Sequence, residues 1–145
     1  MQKNKDMGTQ SVNIEWTSGM AFKADVNGFN VIIDAEERVG GKDQGPPPKP
    51  LLLVSLGGCT GMDVISILKK MRIEPTYFNV VVESELTDEH PKHFKHIHLI
   101  YEFKGNNLPM EQLQKAISLS QERYCGVSAT LKNSVEITSE IRILS

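Results

Sequence analysis

Residues 51–70, LLLVSLGGCTGMDVISILKK, restrict the fold of this chain more than any other stretch. Leu52, Leu56, Cys59 and Met62 recur at three- and four-residue spacing, the period of a helix. Leu53, Val54, Ile65, Ile67 and Leu68 fill most of the remaining circumference. A helix apolar nearly all round is expected to be buried. Lys69, Lys70 and Arg72 fall in its last turn, where cations suit the negative end of the helix dipole. A helix is therefore predicted from Leu51 to about Met71. Gly57, Gly58 and Gly61 work against it, because each weakens a helix by about 1 kcal/mol relative to alanine. Such a cluster calls for a local reason, either a bend or close backbone packing.

The flanking segments supply sheet. In SVNIEW, Val12, Ile14 and Trp16 alternate with polar residues, which is a strand pattern. MAFKADV and FNVIID read as two further strands joined at Asn27-Gly28, a hairpin signal. EERVGGKDQGPPPKP, with glycine-rich turns and four prolines, reads as a loop, in part extended like polyproline. After the long helix, EPTYFNVVVESELT and FKHIHLIYEFKG pair across DEHPKH, with Ile97, Leu99, Tyr101 and Phe103 on one face. NNLPMEQLQKAISLSQERYC opens a second helix with Pro109 in its first turn and Leu113, Ile117 and Tyr124 sharing a face. GVSATLKNS continues as a short helix or turn, and VEITSEIRIL is a final strand. Residues 1–10 read as a frayed tail. Residues 11–145 read as one α+β domain, with antiparallel sheet and one long buried helix.

Composition excludes several partners. Charged residues make up 23% of the chain and the net charge is −2, so nothing favours nucleic acid or an anionic membrane. The polar start lacks the apolar stretch of a signal peptide, and no charge-free run of about 18 apolar residues suggests a membrane span. A cytoplasmic protein is expected. Its two cysteines then read as reduced thiols or a redox pair rather than a permanent staple.

Cys59 and Cys125 are the residues with the most chemistry to offer. A free cysteine in a buried helix is ordinarily a small hydrophobe. Small residues crowd this one, however: Gly57, Gly58, Thr60 and Gly61 leave room for a substrate to reach the sulfur, and a bend would aim free N–H groups at it. Cys125 follows Arg123 and Tyr124 and precedes Gly126, where the second helix should end. Asp63 shares a helix face with Cys59 and is placed to bond the Thr60 hydroxyl or cap a bend. His96 and His98 project to one strand face, but no cysteine or carboxylate completes a recognised metal spacing with them or with His90 and His93. No dinucleotide, phosphate-loop, nucleophile-elbow or zinc-protease motif occurs.

GGKDQGPPPKPLLLVSLGGCTGMDVISILKKM resembles the loop-and-helix segment of the OsmC/Ohr family, the osmotically inducible protein C and organic hydroperoxide resistance proteins. HPKHFKHIHLIYEFKG and SQERYCGVSATLKNSVEITSEI are similar to its later blocks, especially in the OsmC-like branch. The likeness runs over about residues 30 to 145. It implies an intertwined homodimer, with antiparallel sheets of both chains around the central helices and active sites at the dimer interface. It implies thiol-dependent reduction of organic hydroperoxides, with Cys59 as the peroxidatic cysteine and Cys125 as the resolving one. No metal or flavin is implied; an external dithiol, of lipoyl type or similar, would restore the thiols. The family's peroxidases also hold the reactive cysteine with a glutamate and an arginine. Lys49 and Pro50 stand at the glutamate's positions here, and only Met20 and Lys23 stand where the arginine is usual. Arg38, Glu36 and Glu37 are the substitutes within the loop. An OsmC-like protein acting as a thiol redox sensor or a binder of a small apolar ligand is the alternative.

Overall fold

The computed structural model describes residues 8–145. The expected tail lies mostly outside these; residues 8–10 are exposed and carry no strand. The order of elements is β1 (Asn13–Ser18), β2 (Ala21–Val26), β3 (Phe29–Ile33), a 3-10 turn (Glu37–Val39), α1 (Pro48–Lys70), β4 (Tyr77–Leu86), β5 (Phe94–Lys104), α2 (Met110–Leu119), a π-helical turn (Ser120–Tyr124), α3 (Gly126–Leu131) and β6 (Glu136–Ile143). The α+β class expected from the sequence is the one observed. The described residues form two compact units, one up to Leu52 and one from Leu53 to Ser145, and the division falls inside α1.

In the first unit, β1, β2 and β3 form an antiparallel meander. The β2–β3 turn needs left-handed backbone at two successive positions, and Asn27 (φ 53°) and Gly28 (φ 90°) provide it. The Asp25 carboxylate accepts from the Gly28 N–H at 2.9 Å. The loop after β3 is more ordered than its glycines and prolines suggest, and Asp34 is the reason. Its buried carboxylate accepts from the N–H groups of Ala35, Lys42 and Gln44 at 2.7, 3.3 and 3.1 Å. Its own N–H donates to the Pro46 carbonyl at 3.2 Å. These backbone donors hold its pKa below the usual carboxylate value, the Ala35 bond foremost. The loop is shorter than expected because α1 begins at Pro48 rather than Leu51. Pro48 and Pro50 sit in its first turn, where the missing N–H groups would have no helical partner anyway.

In the second unit, β5 is the central strand between β4 and β6. The expected apolar face of β5 is borne out: Ile97, Leu99, Tyr101 and Phe103 are fully buried, with Leu56, Val64 and Leu68 of α1 and Leu113 and Ala116 of α2 in the same core. Phe78 stacks on Phe103 at 4.7 Å between ring centroids. The β4–β5 pairing is antiparallel as expected, but β5 and β6 pair in parallel. The chain between them contains α2 and α3, the helical crossover that a parallel pair requires.

Two expectations for α1 need correction. The helix is continuous from Pro48 to Lys70, so the glycines do not interrupt it. They allow close packing instead: a Cβ on Gly57 would stand 2.9 Å from Val82 Cγ2 of β4, and one on Gly61 3.5 Å from Val80 Cγ2. Nor is the helix buried all round on this chain. The covered stripe is Leu56, Thr60, Val64 and Leu68, at four-residue spacing, while Val54 (66% exposed) and Met62 (74%) face outward. The helix is also long and apolar enough to cross a bilayer by composition, which the requirement for a charge-free run had excluded. Thr60 and Asp63 in its middle are engaged in side-chain hydrogen bonds with Tyr101 and Ser120.

Candidate functional site

Cys59 and Cys125 are 66 residues apart in sequence, yet the fold brings their sulfurs together. Cys59 Sγ, Cys125 Sγ and a carboxylate oxygen of Asp63 all lie within 4.8 Å of one another. Both cysteines are free thiols. Cys59 and Asp63 stand one turn apart on α1, and the π-helical turn places Cys125. The stripe Leu113, Ala116, Ile117 and Ser120 is buried against the core. After Ser120 the helix widens, and the Cys125 N–H donates to the Ser120 carbonyl at 2.7 Å, five residues back. The added residue rotates Tyr124 into solvent, contrary to the expectation that it shares the face of Leu113 and Ile117. It leaves Cys125 extended (φ −75°, ψ 102°) as the cap of α3, with its sulfur accepting from the Ser128 N–H at 3.4 Å.

Access differs between the sulfurs. Cys59 is half-buried, whereas Cys125 is 3% exposed. Burial pushes the Cys125 thiol pKa up, the adjacent Ser128 opposes the shift, and the neighbouring Cys59 adds to it.

A chain of hydroxyls supports Asp63, and its direction follows from counting donors. Ser120 Oγ–H donates to Asp63 Oδ2 at 2.9 Å. That uses the only proton of Ser120, so at its 2.8 Å contact with Thr60 the Thr60 hydroxyl must donate. Thr60 is then spent as a donor, so the Tyr101 hydroxyl donates to Thr60 at 2.7 Å. Gln121 Nε2 completes the chain by donating to Tyr101 at 3.0 Å. Burial raises the Tyr101 pKa, which keeps the phenol protonated for this role. Four donors thus point one way, towards the Asp63 side chain. The expected Asp63–Thr60 bond is replaced by this two-step link through Ser120. The chain was overlooked in the sequence, although Thr60 and Ser120 are each a polar residue on an otherwise apolar helical stripe.

The loop substitutes lie in the first unit. Arg38 Nε donates to Glu36 Oε2 at 2.5 Å, both side chains are exposed, and Glu37 begins the 3-10 turn. Lys49 and Pro50 belong to the first turn of α1. Of the histidines, His98 bonds Thr138 and Glu140 at 2.7 and 2.9 Å, and His93 contacts the Pro91 carbonyl. These are contacts within the sheet and its turn.

Residues 41–140 match the family model described as OsmC-like protein. The chain is 31% identical over 133 residues to protein YhfA of Escherichia coli K12, across 91% of this chain and 96% of that one. A hypothetical protein from Aquifex aeolicus VF5 has the same fold with a TM-score of 0.80 at 30% identity, over 96% of this chain and 100% of the other. An organic hydroperoxide resistance protein from Elizabethkingia anophelis shares the fold at 17% identity, with a TM-score of 0.71 over 97% of this chain and 99% of the other. The chain belongs to the OsmC-like family.

Proposed function

We propose that this protein is a cytoplasmic cysteine peroxidase that reduces organic hydroperoxides, working as a homodimer. The observation that carries this reading is the meeting of an accessible and a buried free thiol within 4.8 Å. The Cys59 thiolate attacks the outer peroxide oxygen. The O–O bond breaks, the alkoxide leaves and takes a proton to become the alcohol, and Cys59 becomes a sulfenic acid. The Cys125 sulfur attacks that sulfenic sulfur, water leaves, and a disulfide forms. An external dithiol, lipoyl-type or similar, reduces the disulfide by exchange and becomes oxidised itself. A disulfide bond is about 2 Å long, so the sulfurs need approach by less than about 3 Å. No metal or flavin enters this cycle. Beside α1 runs an open groove of about 790 Å³ whose walls include Val54, Met62, Ile65, Phe78 and Val82. Cys59 is not among its lining residues, so this apolar surface suits a second copy of the chain better than the peroxide.

The test is consumption of cumene or tert-butyl hydroperoxide by reduced protein with a dithiol. Wild type should turn over. Cys59→Ser should be inactive, and Cys125→Ser should accumulate overoxidised Cys59. No turnover with any dithiol would overturn the peroxidase. A thiol redox sensor is the second reading, favoured by the Asp63 carboxylate beside the two sulfurs. It predicts a Cys59–Cys125 disulfide on mild oxidation without catalytic turnover.

A further inference from the structure

We propose that Cys59, Cys125 and Asp63 form a binding site for a thiophilic divalent cation of the Zn²⁺ type, and that a bound cation and the thiol cycle exclude one another. The second clause rests on the peroxidase reading; the first does not.

Two sulfurs and a carboxylate oxygen are a donor set suited to zinc. Two sulfurs on one tetrahedral zinc stand about 3.8 Å apart, given Zn–S bonds of about 2.3 Å. The three donor atoms already lie within 4.8 Å of one another, so side-chain adjustment suffices to close around an ion. Three protein ligands leave a fourth position, and the half-buried Cys59 gives the cluster a route to solvent.

Among the described residues, the ion pairs lie elsewhere, at Arg38–Glu36 and around Glu140, so no salt bridge occupies the Asp63 carboxylate.

The surroundings also resemble the outer support of a metal site, in which ligands are oriented by hydrogen bonds from behind. The directed chain from Gln121 through Tyr101, Thr60 and Ser120 fixes Asp63 from the side of Oδ2. On the other flank, Cys125 Sγ accepts the Ser128 N–H. The Ser128 hydroxyl is buried (3% exposed) and is the one buried side-chain oxygen without a hydrogen-bond partner among the described residues. It lies beside Cys125, at the flank of the cluster.

Binding displaces the thiol protons to solvent and involves no electron transfer. A Cys59–Cys125 disulfide has no thiolate to offer. Conversely, a metal-bound Cys59 has its nucleophilic electron pair engaged, so the ion would inhibit rather than assist peroxide reduction.

The experiment titrates full-length, reduced, chelator-treated protein with Zn²⁺ against a chromophoric chelator, and with Co²⁺ as a spectroscopic probe. One ion per chain is expected, with a near-ultraviolet thiolate-to-cobalt band and the strong visible bands of four-coordinate cobalt. Asp63→Asn, which keeps the shape of the ligand, and Ser120→Ala, which removes only its outer support, should each weaken affinity by roughly 10- to 100-fold. Wild type oxidised to the disulfide should bind no ion, a control that needs no variant to fold. Equal affinity in wild type and Asp63→Asn, or no thiolate band, would overturn the site. Peroxide turnover undiminished at saturating Zn²⁺ would overturn the exclusion. A protein that binds the ion but never consumes peroxide would sustain the site while removing the peroxidase reading.

Discussion

The two sheets of this protein have the same number of strands and opposite physical character. In the first, every residue of β1 is exposed, including Trp16 (63%), and Phe29 at the start of β3 is 76% exposed. Its buried residues are Ala21, Ala24 and Asp34. In the second sheet, β5 alone buries Ile97, Leu99, Ile100, Tyr101 and Phe103. One sheet has a core of its own. The other presents large apolar side chains with nothing of its own unit covering them, the property of a surface meant for another surface. The family resemblance expects that surface to be shared between two copies. The candidate site sits in the unit with a core of its own, where a site of about 5 Å needs well-packed elements to hold it.

Substitutions can break this comparison. Leu99→Ala, in the fully buried face of β5, should destabilise the protein by about 2–5 kcal/mol in chemical unfolding. Phe29→Ala should change monomer stability by only about 0.5 kcal/mol, the level of an exposed site. A larger loss that grows with protein concentration would show that a second copy covers the first sheet.

Thr60→Val tests the hydroxyl chain. It leaves the buried Tyr101 and Ser120 hydroxyls each short of a partner, so a loss of about 1–3 kcal/mol is expected despite nearly unchanged volume. A neutral result would mean that the chain contributes nothing to stability.

The glycines of α1 offer a smaller and sharper contrast. Gly58→Ala meets nothing within 4 Å on this chain and should stabilise the helix by up to about 1 kcal/mol. Gly57→Ala drives a methyl against Val82 and should lose that gain or reverse it. If Gly58→Ala is instead destabilising and shifts sedimentation towards monomer, that face of α1 is a dimer contact.

The smallest effect should come from Asp34. Its pKa is lowered in the folded state, so its contribution to stability is present above the ordinary carboxylate range and is lost as pH falls through the lowered value. Melting temperatures of wild type and Asp34→Ala should therefore differ near neutral pH and converge in acid. A difference that persists unchanged into acid would mean that the loop does not depend on the ionised carboxylate.

Periodicity determined much of this protein. The two-residue alternation of β5, the Asn27-Gly28 turn and the long helix are all legible from local pattern, because each element's own side chains dictate it. The start of α1 was not, since proline forbids a helix interior but suits its first turn. The parallel partner of β5 was not legible either, because strand direction depends on how an intervening helix packs. At the site, residue type marked Cys59 and Cys125 as candidates, and resemblance paired them. Only the tertiary structure set the sulfurs together and put Asp63, held by a line of hydroxyls, beside them. The physical reason is range. Hydrogen bonds among Thr60, Tyr101 and Ser120 span 41 and 60 residues, and no local rule of sequence reaches that far.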